Sequence, residues 1–205
     1  EEDEMFRQGS GPLYERLSRA GREMADCGSG SPIAHAKRHG VLRSGMLAIH
    51  GNYLDDDDIS LLAGNQVSLV HCPRSHAYFG HAPFRAEALR AAGVNLCLGT
   101  DSLATVRAGD AELSLFAELR AHREAFSNLA DLDLETLLQC VTVNPARALG
   151  MAGQVGELAA DAFADLIALS FDGPIESVLE AIANHIGPAR SVMLDGEWDV
   201  KSEND

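Results

Sequence analysis

The sequence predicts an α/β fold built on parallel strands, and three observations carry that prediction. Three short apolar runs, Met46-Leu47-Ala48-Ile49, Gln66-Val67-Ser68-Leu69-Val70 and Val94-Asn95-Leu96-Cys97-Leu98, follow one another about 20 to 27 residues apart, the rhythm of strand-helix-strand units. Each run ends on a polar tip, with His50, His71 or Asp101 at or just past its end. Each is followed by a segment of helical length. The third run stops at Gly99 and presents Asp101 just beyond the carboxyl end of its strand, where parallel β/α folds place their chemistry. An acid there can bind a metal, take a proton, or cap the next helix.

Composition narrows the class of partner. The chain has 205 residues, 46% of them hydrophobic, enough to bury a sizeable core in one or two domains. A formal net charge of −15 excludes the basic surface that nucleic acid or an anionic membrane would require. Cys27, Cys72, Cys97 and Cys140 lie far apart with no C-x-x-C pair, so they read as reduced thiols of a cytoplasmic protein. No apolar stretch approaches the roughly 18 residues of a membrane span. The chain opens on Glu1-Glu2-Asp3-Glu4, which reads as entry into the middle of a helix; the expectation is a piece of something longer.

Taken in order, residues 1–27 carry Met5, Leu13, Leu17, Ala20 and Met24 among charges, which predicts two amphipathic helices divided by Gly9-Ser10-Gly11-Pro12. Ser31-Pro32 supplies an N-cap and a first-turn proline for a helix to about Arg38. After the first strand, Asp55 to Asp58 suit the first turn of a helix through Ala63, with a calcium site as the weaker alternative. After the second strand, His71-Cys72-Pro73-Arg74-Ser75-His76 and a loop with His81 lead to a helix over Pro83 to Ala92. Beyond Asp101, helices are expected over Ala111 to Phe126 and Leu132 to Val141, and Asn144-Pro145 reads as cap and first-turn proline for Ala146 to Leu149. The character then changes near Gly153. Short strands are expected at Val155 to Leu158, Ala164 to Leu169 and Ser191 to Leu194, the last entering a hairpin at Asp195-Gly196, with a helix over Ile175 to Asn184.

Three motifs in this order resemble the amidohydrolase superfamily, in the branch of metal-dependent deaminases and chlorohydrolases that includes S-adenosylhomocysteine deaminase, guanine deaminase and the triazine hydrolases. Leu47-Ala48-Ile49-His50-Gly51 resembles that family's histidine at the end of barrel strand six. Val70-His71-Cys72-Pro73-Arg74-Ser75-His76 resembles its strand-seven motif H-x-P-x-S-N, and Leu98-Gly99-Thr100-Asp101-Ser102 its strand-eight G-T-D-S. Thr142 to Gly150, Gly156-Glu157-Leu158 and Ala164-Asp165-Leu166 resemble the last barrel helix and the return into a small β-sandwich. The resemblance implies the C-terminal part of a (β/α)8 barrel, strands six to eight, over residues 1–153, and sandwich strands over residues 154–205.

It also implies a function: a metal-dependent hydrolase acting on a C–N bond, with deamination of a purine-like or other heterocyclic small molecule as the leading reaction. An aminofutalosine-type deaminase is the nearest variant; dechlorination or amide hydrolysis on the same scaffold, or a non-catalytic binding module, are the alternatives. By resemblance Asp101 is a metal ligand that also shuttles a proton, and His50 polarises the electrophile or positions the attacking hydroxide. Ser75, His76, Ser102 and His81 form the substrate-binding set. The cofactor implied is a divalent metal, Zn²⁺ first, with Fe²⁺ or Mn²⁺ as alternatives. The family's first-strand H-x-H and fifth-strand H-x-x-E are absent from this sequence, and His76 stands where relatives carry Asn. A whole barrel needs about 250 residues and a catalytic zinc three or more protein ligands. The chain alone is therefore expected to be inactive, completed by the missing N-terminal half of the same protein or by a second copy in a homo-oligomer.

The remaining histidines have plainer readings. His35 and His39 stand at i, i+4 but lack the Glu of H-E-x-x-H, so a metal role is disfavoured. His71 reads as a packed, hydrogen-bonded residue, and His122 and His185 as surface residues. His76 and His81 flank Ala77-Tyr78-Phe79-Gly80, expected to be a loop over the site.

Overall fold

A computed structural model describes residues 1–106, 112–126 and 133–199. In chain order its elements are α1 (Glu2–Gln8), α2 (Pro12–Arg19), α3 (Pro32–Arg38), β1 (Leu47–Ile49), α4 (Asp56–Gly64), β2 (Ser68–His71), α5 (Pro73–Phe79) and α6 (Ala86–Ala91). There follow β3 (Leu96–Leu98), α7 (Leu115–Ala125), α8 (Leu134–Gln139), α9 (Val143–Ala148), β4 (Leu166–Ala168), α10 (Val178–Ala183), β5 (Ser191–Leu194) and β6 (Glu197–Asp199). The expected starts of two helices, at Ala111 and Leu132, lie outside the described residues.

Two sheets form, ordered β1-β2-β3 and β4-β5-β6. In the first, the Leu69 N–H donates to the Asn95 carbonyl at 3.0 Å and the Gly99 N–H to the His71 carbonyl at 2.9 Å. Both partners advance together along the chain, as a parallel ladder requires. The second sheet is antiparallel: Leu166 faces Met193, and Met193 faces Trp198. Asp195 and Gly196 turn the β5-β6 hairpin with φ of 51° and 80°, the left-handed pair that a type I′ turn demands.

The chain folds as two compact units, one made of residues 1–69 and 81–95, the other of residues 70–80 and those from Leu96 on. In the first unit the apolar core centres on Leu62, Leu69 and Leu89, all without exposed surface. The α4 acids serve its start. Asp55 caps the helix in a reciprocal box with Asp58, and buried Asp58 accepts from the Ser31 hydroxyl and from Arg7 at 2.9 Å. The Asp58 backbone N–H, then Arg7, hold the Asp55 carboxyl below its usual range. Asp55 and Asp58 are thus engaged by the helix terminus and a guanidinium, which corrects the calcium alternative. Ser31 caps α3 as expected, accepting from the Ala34 N–H at 3.0 Å.

In the second unit Leu119, Leu137 and Ala183 are buried, and α8 and α9 are tied to β3. The Leu98 N–H donates to the Cys140 carbonyl at 2.8 Å, and the Asn144 side-chain amide donates to the Leu96 carbonyl at 2.9 Å. Asn144 is therefore inside α9, not its cap; Thr142 is the capping residue. The strand end outcompetes the helix terminus for the amide. Residues 155–158, expected as a strand, form none; 155–157 are bends. The helix expected from Pro83 starts at Ala86.

Candidate functional site

The two residues expected to do chemistry sit at strand ends in left-handed backbone, His50 at φ 70° and Asp101 at φ 52°. Such conformations cost a non-glycine residue on the order of 1 kcal/mol and recur at functional positions. Each is held by a tight neighbour. A Cβ on Gly51 would stand 2.6 Å from Leu69 Cδ1, and one on Gly99 would stand 2.8 Å from Val70 Cγ1. Gly51 also takes a left-handed φ of 59°, which glycine adopts freely.

In the second unit, the Ser75 hydroxyl donates to Oδ2 of the exposed Asp101 carboxylate at 2.6 Å. The Thr105 hydroxyl shares its one proton between the Ser102 carbonyl at 2.9 Å and the same Asp101 oxygen at 3.2 Å. Asp101 is not a helix cap: that role belongs to Ser102, whose hydroxyl oxygen accepts from the Ala104 N–H at 3.0 Å and starts a short 3-10 turn. Ser102 is thereby turned to the backbone, although it remains exposed.

Residues 77–79, expected as part of a loop, belong to the helix α5 (Pro73–Phe79). Pro73 pre-sets its first turn, and Gly80 ends it in a left-handed cap at φ 64°. Buried Ser75 and half-buried His76 are thus carried on a regular element. The His76 ring meets His71 edge to face at 5.1 Å, and His71, 2% exposed, meets His122 at 5.7 Å.

Beneath α5, Glu118 and His122 lie one turn apart on α7 with no exposed surface. Glu118 Oε2 accepts from the Arg74 backbone N–H at 3.0 Å, and Oε1 forms an ion pair with Arg74 Nε at 3.0 Å, off-line for a hydrogen bond. Burial pushes the Glu118 carboxyl up, opposed by that N–H and by the Arg74 charge. Among the described residues neither ring nitrogen of His122 has a hydrogen-bond partner, and burial pushes its imidazole down to about 4. The expectation of a surface histidine is therefore overturned at His122. His185, half-buried, packs against Phe116 at 4.7 Å. Glu118, Leu119 and His122 follow the 3.6-residue period of an inward stripe, a signal that places both polar residues inside. Cys72, next to this cluster, is a buried thiol raised to about 12 by desolvation and by the charges of Asp101 and Glu118. It is a packing residue rather than a nucleophile.

In the first unit, half-buried His50 stands at the end of β1, and His81 pairs its Nδ1 with the Tyr53 hydroxyl at 3.0 Å, the rings meeting edge to face. His35 packs on Phe6 and His39, with Nε2 3.6 Å from Asp26 Oδ2.

A divalent ion is tested against these donors as follows. Among the described residues Asp101 accepts from Ser75 at Oδ2, which leaves its second oxygen to suit a metal. Among the described residues, however, no group of three or more His, Cys, Asp or Glu stands ready to hold one. A catalytic zinc takes three protein ligands. A separate groove of about 840 Å³ in the second unit, lined by Phe116, Leu138, Ile167, Phe171 and Ile182 among others, includes none of the candidate residues.

Residues 19–198 match the Amidohydrolase family. The chain belongs to the amidohydrolase family. Among its amidohydrolase relatives, the 5-methylthioadenosine/S-adenosylhomocysteine deaminase of Syntrophobacter fumaroxidans is 34% identical over 180 residues, covering 85% of this chain and 38% of the relative. The enzyme of the same name from Thermococcus sibiricus is 33% identical over 158 residues. The chain thus spans less than half the length of the curated relatives it matches. A zinc-bound adenosine deaminase from Xanthomonas campestris superposes with a TM-score of 0.76 at 26% identity, over 95% of this chain and 44% of that one. The fold is also that of an aminofutalosine deaminase from Helicobacter pylori (TM-score 0.76, 21% identity, 97% of this chain and 49% of that one) and of a zinc-bound atrazine chlorohydrolase from Arthrobacter aurescens (0.72, 22%, 84% and 40%). This amidohydrolase chain is therefore a mixed α/β structure whose fold is similar to that of deaminases of the family. No helix among the described residues is long and apolar enough to cross a membrane.

Proposed function

We propose that the protein carrying this chain is a metal-dependent hydrolase that deaminates a purine-like or other heterocyclic small molecule. The observation that carries the reading is Asp101: an exposed carboxylate past a strand end, in left-handed backbone, with the buried Ser75 hydroxyl donating to its Oδ2 at 2.6 Å. Asp101 would hold the ion, Zn²⁺ first among candidates, with further ligands from outside this chain. When bound, such an ion lowers the pKa of its water to about 7. Asp101 takes a proton from the attacking water and returns it to the departing amine. His50 polarises the ring electrophile or positions the attacking oxygen. Ser75 and Thr105 hold the Asp101 carboxylate in one orientation, while His76, Ser102 and His81 contact substrate.

In this reading residues 1–153 are strands six to eight of a (β/α)8 barrel with their helices, and residues 154–205 contribute to a small sandwich. The rest of the barrel comes from the N-terminal half of the longer protein or from a second copy. The test is ammonia release by the natural-length protein with Zn²⁺ across a panel of aminopurines and their nucleosides. Asp101→Asn should lower kcat at least about a hundredfold, the scale of a lost general acid-base group. Absence of ammonia from the whole panel refutes deamination, and chloride release from chlorinated triazines would favour the dechlorinating alternative.

A further inference from the structure

The helix that carries Ser75 begins without a cap of its own. Its capping residue is Cys72, which makes no side-chain hydrogen bond to the helix, and its first residue is Pro73, which has no N–H. The Arg74 N–H is the first orphan donor of that terminus. It is taken by Glu118 Oε2 at 3.0 Å, from a different helix 44 residues away. Glu118 itself has no freedom: it has no exposed surface, and its other oxygen faces the Arg74 guanidinium, which is anchored in turn on the Glu112 carbonyl at 2.7 Å. A carboxylate at a helix N-terminus is also favoured by the helix dipole.

One residue further along, Ser75 is 2% exposed and donates to Asp101 Oδ2 at 2.6 Å. The connection Glu118, Arg74 N–H, Ser75 O–H, Asp101 Oδ2 is thus continuous, and each link is a buried or half-buried contact inside the second unit.

We propose that Glu118 is a positioning residue for Asp101: by capping α5 from outside it fixes the Ser75 hydroxyl, which orients the carboxylate and leaves its other oxygen for a metal. This rests on the metal-ligand reading of Asp101 given above. Partners that orient a ligand from behind are typically worth 10- to 100-fold in metal affinity or activity.

The experiment is a double-mutant cycle in the natural-length protein with Glu118→Leu, Ser75→Ala and both together. Zn²⁺ affinity is measured by competition with a chromophoric chelator, kcat and KM by ammonia release, and folding by circular dichroism melting. Each single variant is expected to lower Zn²⁺ affinity and kcat about tenfold with KM little changed, and the double variant no further than the worse single, because both changes cut the same connection. If Glu118→Leu does not melt cooperatively, Glu118→Asp is read instead; it keeps the charge and withdraws the oxygen from the Arg74 N–H. Wild-type Zn²⁺ affinity and kcat in the Glu118 variant, or a double variant that loses the product of the two singles, overturns the proposal. A natural-length protein that binds Zn²⁺ but releases no ammonia sinks the deaminase reading alone, and the affinity cycle still decides Glu118. One that binds no Zn²⁺ overturns both.

Discussion

His122 makes the folded protein sensitive to acid, and the size of the effect follows from its surroundings. The ring has no exposed surface and, among the described residues, no hydrogen-bond partner at either nitrogen, and burial pushes it down to about 4. In the unfolded chain the same imidazole titrates near 6.5. Between those values the unfolded state binds a proton that the folded state refuses, so stability is complete above pH 6.5 and falls as pH drops through the window toward 4. At pH 4.5 the loss from this one group is about 2.5 kcal/mol, at about 1.4 kcal/mol per unit of pKa difference. For a chain of this length that corresponds to a melting temperature about 5–10 °C lower. His122→Leu removes the titrating group at similar volume. Urea denaturation at pH 7 and pH 4.5, followed by circular dichroism, should show wild type losing about 2.5 kcal/mol more than the variant. The carboxylates common to both proteins cancel in that difference. Equal losses in the two proteins would show that His122 is protonated without penalty, and the argument from burial would be wrong.

Other expectations are simpler to read. Gly99→Ala places a Cβ 2.8 Å from Val70 Cγ1 and should cost about 1–3 kcal/mol by overpacking; an unchanged urea midpoint would show that β2 yields freely. Asp58→Ala removes the acceptor of the buried Ser31 hydroxyl and one half of the α4 capping box, while Arg7 keeps Asp3 and Asp55, and should cost about 1–3 kcal/mol, measured in the same way, whereas the exposed Arg19–Glu15 pair can be removed for less than about 1 kcal/mol. Cys72 and Cys97, both raised to about 12 chiefly by burial, should resist iodoacetamide at pH 8 while half-buried Cys27 is labelled; intact mass before and after urea counts the modified thiols, and rapid labelling of all four in the folded state would refute it.

Strand runs were legible because buried strands are continuous apolar stretches, and their polar tips marked His50 and Asp101 as residues to watch. The Asp195-Gly196 hairpin was legible because its turn needs two left-handed residues and few sequences supply them. Helix ends were harder. Asn144 has the local chemistry of a cap, but its amide reaches the Leu96 carbonyl, 48 positions away in sequence. Residues 77–79 lack the periodicity that marks a helix, yet α5 forms because its N-terminus is satisfied from α7. Residues 155–158 have strand composition but no strand forms there. His122 was misplaced by its residue type, although its position on the stripe with Leu119 pointed inward.

By itself the sequence determined the α/β alternation, the parallel strands with their polar ends, the hairpin after Gly187 and membership of the amidohydrolase family, all of which rest on local pattern and ordered motifs. Tertiary structure alone decided which oxygen of Asp101 is occupied, that Ser102 and not Asp101 starts the next turn, and that Glu118 caps α5. Those outcomes depend on donors and acceptors brought together from distant positions under burial, where each polar group must find a partner and local pattern does not name it.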